Sequence, residues 1–170
     1  MGGRGGSSAS AKASRKVVPT VGERAQARAE AEVAKYDDSY FDSLDMRVPD
    51  FVLDKLNSQE YYAVTATGGP FTIKRETEKA ALLEVSTDYG NVTVWSPKSV
   101  IKTREEARAA TVREMARQFV NDDYYAYLRT TAKAGGVKLG SVKKWSKIKQ
   151  KMDLAGVKYL DKSEYINTRE

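Results

Sequence analysis

Residues 60–101 read EYYAVTATGGPFTIKRETEKAALLEVSTDYGNVTVWSPKSVI, and the class of fold turns on them. Residues 61–67 are aromatic, β-branched and small, a strand-like composition. Gly68-Gly69-Pro70 follows as a turn. Phe71, Ile73 and Arg75 then alternate with Thr72 and Lys74, and Ala81, Leu83 and Val85 alternate with Leu82, Glu84 and Ser86. A period of two marks a half-buried strand. Asp88-Tyr89-Gly90-Asn91 predicts a hairpin turn, residues 92–95 a closing strand, and Pro97 its end. The expectation is a meander of four antiparallel strands. So small a sheet curls or forms a partial barrel, and it needs helices against it to be stable.

Helical signals flank this stretch. Residues 19–35 are rich in strong helix formers, but alanine supplies most of their apolar surface, so a mobile, weakly anchored lead-in helix is expected. Asp50 after Pro49 is placed to cap a short helix over residues 51–56, with Phe51, Leu53 and Leu56 turned to the core. Thr103 and Glu106 have capping-box spacing. Behind them Val112, Met115, Ala116 and Phe119 share a face suited to the sheet. Asn121-Asp122-Asp123 predicts a break or kink. A tyrosine-rich helix then runs to about Ala134, with Tyr124, Tyr127, Leu128 and Thr131 on one side and Gly135-Gly136 as its stop. Ser141 is a candidate N-cap for a last amphipathic helix, whose stripe is Val142, Trp145, Ile148 and Met152 and whose stop is Gly156.

The fold class expected is therefore α+β: a small antiparallel four-stranded sheet or partial barrel flanked by helices, with a C-terminal helical hairpin and a disordered basic N-terminus. Its parts are a basic tail (1–18), a helical acidic lead-in (19–58), the β module (60–102) and a helical region (103–170).

The formal charge of +6 is unevenly distributed. Residues 1–18 hold four bases and no acid, residues 20–58 five bases and nine acids, and residues 124–152 eight bases and no acid. Two basic blocks thus produce the net charge, and such a field favours polyanionic partners. Cysteine and histidine are absent, which removes disulfides, thiolate chemistry, cysteine–histidine zinc sites and imidazole catalysis. No Walker loop, dinucleotide glycine pattern or Gly-x-Ser-x-Gly elbow occurs. The expectation is a protein that is not an enzyme, with no catalytic residues, no metal and no cofactor. No run of the roughly 20 apolar residues of a membrane span exists, so no membrane partner is expected and the location is cytoplasmic, a host cytoplasm if the chain is viral.

Lys143, Lys144, Lys147 and Lys151 fall opposite the apolar stripe of the last helix, and Lys133 and Lys138 flank them. Ammonium groups on flexible stems grip phosphate as point charges, which makes these six the candidate contacts to nucleic acid, DNA ahead of RNA. Trp95, Lys98 and Ser99 form a possible secondary contact, since an aromatic side chain on a sheet can stack on a base. Asp37, Asp38, Asp42 and Asp45 crowd one short stretch. They are the alternative partner-binding set, imitating a phosphate backbone to occupy a basic groove. On that reading the partner is a host nuclease and the protein an inhibitor of it, in the manner of anti-CRISPR proteins.

Ala132, Gly136, Val137, Val142 and Trp145 resemble the helix-turn-helix family of DNA-binding motifs, with Ala132 at the helix crossing, Gly136 in the turn, and Val142 and Trp145 on the buried side of the second helix. The resemblance implies a second helix lying in the major groove. Thr131 and Gly135 depart from the pattern. The second helix carries lysines where base-reading Asn, Gln or Arg would give specificity. The opening Met-Gly-Gly-Arg-Gly-Gly-Ser-Ser is similar to the start of many small phage and prophage proteins. Residues 76–84 with 94–101, a Trp-x-Pro-Lys-Ser module, resemble a β unit of uncharacterised phage and bacterial proteins. These resemblances imply a phage or prophage accessory protein.

Overall fold

The computed structural model describes Gly2 and residues 17–169; all of the expected basic tail except Gly2, Val17 and Val18 lies outside the described residues. Along the chain run α1 (Val21–Val33), α2 (Asp38–Phe41), α3 (Leu44–Arg47), α4 (Asp50–Leu53), α5 (Ser58–Thr67), β1 (Phe71–Glu76), β2 (Ala80–Thr87), β3 (Gly90–Pro97), α6 (Arg104–Ala134), α7 (Trp145–Leu154) and α8 (Lys162–Tyr165).

The class is α+β, but the sheet has three strands in the order β1-β2-β3, all antiparallel. The expected first strand is helix α5. Its start is fixed upstream, where the Asn57 side chain accepts from the Glu60 amide at 2.8 Å and the Glu60 carboxylate accepts from the Asn57 amide at 3.2 Å. That reciprocal capping box satisfies two orphan donors. Thr65 and Thr67 then donate their hydroxyls back to the carbonyls of Tyr61 and Ala63, a helical outlet for β-branched polar residues. Ala63 and Val64 are buried, and Tyr61 and Tyr62 face solvent. With only three strands, the sheet stays open and no barrel forms.

One face of the sheet makes the core. Ala81, Leu83, Val85, Val92 and Val94 pack against Leu44, Val48, Val52, Leu53 and Val64. Pro49 stands at the N-cap of α4, so the register places Val52 inside and leaves Phe51 about half exposed, contrary to the expectation for Phe51. The β2–β3 hairpin turns on Asp88 and Tyr89, with Gly90 at φ +117°, a conformation that strains any residue with a Cβ.

Helix α1 is not a loose lead-in. Val21, Ala25, Ala29 and Val33 recur every four residues and are all buried. Ala29 and Val33 share a core with Phe41 and with Ala107, Val112 and Ala116 of α6, and small side chains let the two backbones approach closely. The guanidinium of Arg28 lies 4.0 Å from the Phe119 ring centroid. The first amides of α1 donate to the C-terminal segment, Val21 to the Thr168 carbonyl at 2.8 Å and Gly22 to that of Ile166 at 3.0 Å.

Helix α6 runs unbroken through Asn121, Asp122 and Asp123, so the expected break there is absent. The last helix also differs from expectation. Its first residue is Trp145, and Lys144, not Ser141, is the N-cap residue.

Replacing Asn57 with Ala should lower the unfolding free energy by about 1 kcal/mol in urea titration. An Asn57→Ala protein as stable as the parent would show that the cap does not hold α5.

Candidate nucleic-acid interface

The C-terminal end of α6 and α7 are held together by an aromatic core. Tyr124, Leu128, Ala132, Leu139, Ile148 and Met152 are buried as one cluster. The Tyr124 hydroxyl donates to the Leu160 carbonyl at 2.9 Å, and the Leu160 amide donates to the Tyr127 hydroxyl at 2.9 Å. Trp145 meets Tyr124 edge to face at 5.1 Å, and Tyr127 stacks on Tyr165 at 4.6 Å. Burial raises the Tyr165 phenol above its ordinary value, with the Asp123 carboxylate adding to the effect.

Two of the eight bases in residues 124–152 turn inward. The Arg129 guanidinium donates to the Val142 carbonyl at 3.1 Å and the Tyr125 hydroxyl at 3.2 Å. The Lys149 ammonium sits 5.3 Å from the Tyr124 ring and 6.0 Å from that of Tyr159. The other six are the candidates Lys133, Lys138, Lys143, Lys144, Lys147 and Lys151, and all are exposed. Among the described residues, no ion pair engages any of them.

Their placement joins two elements. Lys133 ends α6, and with Lys138 and Arg129 it lines a cleft of about 540 Å³. Lys151 of α7 reaches the same edge, its ammonium donating to the Lys138 carbonyl at 3.3 Å. Lys147 lies one turn before Lys151, on the same side of α7, and Lys144 at its N-cap. Arg129 was not among the predicted contacts, and nothing local in the sequence marks it as a wall of this cleft.

The helix-turn-helix geometry is not formed. Residues 135–144 separate α6 from α7, whereas that motif turns in three or four residues. Val142 precedes the second helix instead of lying on its buried side. Gly136 at φ +78° and Gly140 at φ +57° bend the connection.

Part of the acidic stretch is paired within the molecule, although Asp37 and Asp38 remain exposed. Arg104 grips Asp42 with two bonds, at 2.7 and 3.0 Å, and contacts Asp38 at 3.3 Å. Arg108 meets Asp38 at 2.5 Å, and Arg47 meets Asp42 at 3.1 Å. The hydrogen bond from Arg104 chiefly holds the Asp42 carboxyl below the ordinary carboxylate value, against the opposing effect of burial. Asp38 and Asp42 thus spend their charge fastening α2 to the start of α6. Asp37 is the N-cap residue of α2. Asp45 lines a cavity of about 360 Å³ with Tyr40, Met46 and Lys102. Across the described residues, no three carboxylates converge as a metal site, and no helix is long and apolar enough to cross a membrane.

The secondary candidates are divided. Trp95 lies on β3 and is 40% exposed. Lys98 and Ser99 lie in a single 3-10 turn just after it, and the Lys98 ammonium is 3.6 Å from the Glu76 carboxylate.

No family model, no curated protein and no solved structure matches this chain.

The Asp42 carboxyl titrates below its ordinary value of 3.8 when folded. Its contribution to stability is therefore complete above that value and is lost as pH falls through the lower folded one. Asp42→Asn should reduce the thermal midpoint at neutral pH by at least about 3 °C and should flatten its fall between pH 4 and 2. An unchanged acid limb of the midpoint curve would exclude Asp42 as its source.

Proposed function

We propose that the protein binds nucleic acid, DNA ahead of RNA, mainly through its phosphates, using Lys133, Lys138, Lys143, Lys144, Lys147 and Lys151. The observation that carries this reading is clustering: six exposed lysines gather at the end of α6, in the connection after it and on α7, and among the described residues none of them has an ion pair. Unpaired ammonium groups on neighbouring elements give a local positive potential whose natural complement is a polyanion. Lysine gives charge without the bidentate geometry that reads base edges, so binding is expected to depend little on sequence.

The grip is electrostatic, so affinity falls with salt. Each lysine that meets a phosphate of duplex DNA adds nearly one unit to the slope of log K against log salt. Changing Lys143, Lys144, Lys147 and Lys151 together to Glu should leave the chain folded by circular dichroism and abolish binding in fluorescence anisotropy. Each single Lys→Ala change should lower the salt slope by about 0.9. Retained affinity of the fourfold variant at low salt, or no binding by the parent, would overturn the reading.

A further inference from the structure

The three-stranded sheet has a second face, and the lysine surface does not use it. Helices cover the side that carries Leu83, Val85, Val92 and Val94. The alternate positions look outward, and Thr72, Ser86, Asn91, Thr93 and Trp95 on this side are exposed. The strand register sets a row across the middle of the sheet in which Leu82 lies opposite Arg75 of β1 and opposite Trp95 of β3.

A β-bulge makes that row. The β1–β2 register slips between Ile73 and Arg75. In regular pairing Arg75 would follow Ile73 onto the face of Leu83; the slip sets it opposite Leu82, on the outer face with Trp95. Re-aiming one side chain in this way is a recurrent use of bulges beside binding sites.

The charges around Trp95 are biased. Glu84 on the outer face is met by Lys74 at 3.2 Å, and Glu76 is met by Lys98 at 3.6 Å. The Lys55 ammonium donates to the Trp95 carbonyl at 3.3 Å. Among the described residues, neither Lys55 nor Arg75 has an ion pair. Trp95 thus stands partly exposed on the outer face, with Arg75 two strands away in the same row and Lys55 at the β3 edge, while Glu84 and Glu76 already have lysine partners.

We propose that this outer face is a stacking platform for an unpaired nucleobase of single-stranded nucleic acid, with Trp95 taking the base and Arg75 and Lys55 its flanking phosphates. The class of partner rests on the reading given under Proposed function; the platform adds a preference for single strands, which phosphate contacts alone do not provide. An indole stacks on a base only when that base is out of the duplex, and such stacking tolerates any sequence.

The test uses the full chain and two fluorescein-labelled probes, an oligothymidylate and a duplex of equal length. Trp95→Ala should weaken oligothymidylate binding about tenfold and leave duplex binding unchanged, and Trp95→Phe should restore most of the loss. The chain has two tryptophans, so Trp145→Phe leaves Trp95 as the sole emitter. Its emission should be quenched by unlabelled oligothymidylate and not by the duplex. If Trp145→Phe fails to fold, the Trp95 variants decide alone. Equal affinity of the parent and Trp95→Ala for the single strand, or equal loss on both probes, overturns the platform while leaving the lysine grip standing. Failure of the parent to bind either probe overturns both.

Discussion

One uninterrupted helix, α6, carries both halves of the molecule. Its first half packs on α1 and α2 through Ala107, Val112 and Ala116, and its second half holds the aromatic core through Tyr124, Leu128 and Ala132. Between them stand Asn121, Asp122 and Asp123, poor helix formers that together cost roughly 2 kcal/mol relative to alanine. Full burial of Tyr124 and Leu128 contributes about 1.5–3 kcal/mol for each side chain of that size, and it requires the apolar stripe to continue in phase. Tertiary packing wins, and the helix passes straight through. The same rod is secured at its start, where Arg104 and Arg108 hold Asp42 and Asp38.

The ends of the chain are joined by a second non-local constraint. The opening amides of an isolated helix lack partners. In α1, the amides of Val21 and Gly22 are met by the carbonyls of Thr168 and Ile166. The C-terminal segment thereby caps the N-terminal helix, while Leu160 is bonded to Tyr124 and Tyr127 of α6. These ties explain how an alanine-rich helix with modest apolar area stays in place.

What could be read from the sequence followed the range over which each signal acts. Alternation over Ala81, Leu83 and Val85 is local, and it identified β2 as it identified β3. The helical state of residues 61–67 was concealed because strand-like composition lay within the segment, while the deciding pair, Asn57 and Glu60, lay at and before its edge. The acidic stretch was visible as a cluster, but the partners of Asp38 and Asp42 stand 66 and 62 residues away in Arg104, and composition does not reveal such a pairing. For Lys147 and Lys151 the exposed side of α7 could be read from the helical stripe even though α7 begins later than Ser141 implies, because Ile148 and Met152 fix which side is buried, whereas Lys138 and Lys143 lie in the connection before it. The β1 bulge that turns Arg75 outward has no signature in the sequence.

The lysines are not all explained equally well by helix stability. Lys133 lies in the last turn of α6, where a cation complements the negative end of the helix dipole. Lys151 near the end of α7 gains in the same way. Lys144 and Lys147 stand at the opposite end, where the dipole is positive and an acid would be favoured. The first turn of α7 contains no acid, and the N-cap makes no side-chain bond. Local stability would be better served there by Ser or Asp followed by Glu. Two ammonium groups at a helix start that no side chain caps are unfavourable for the helix itself, so the stability of α7 does not account for Lys144 and Lys147.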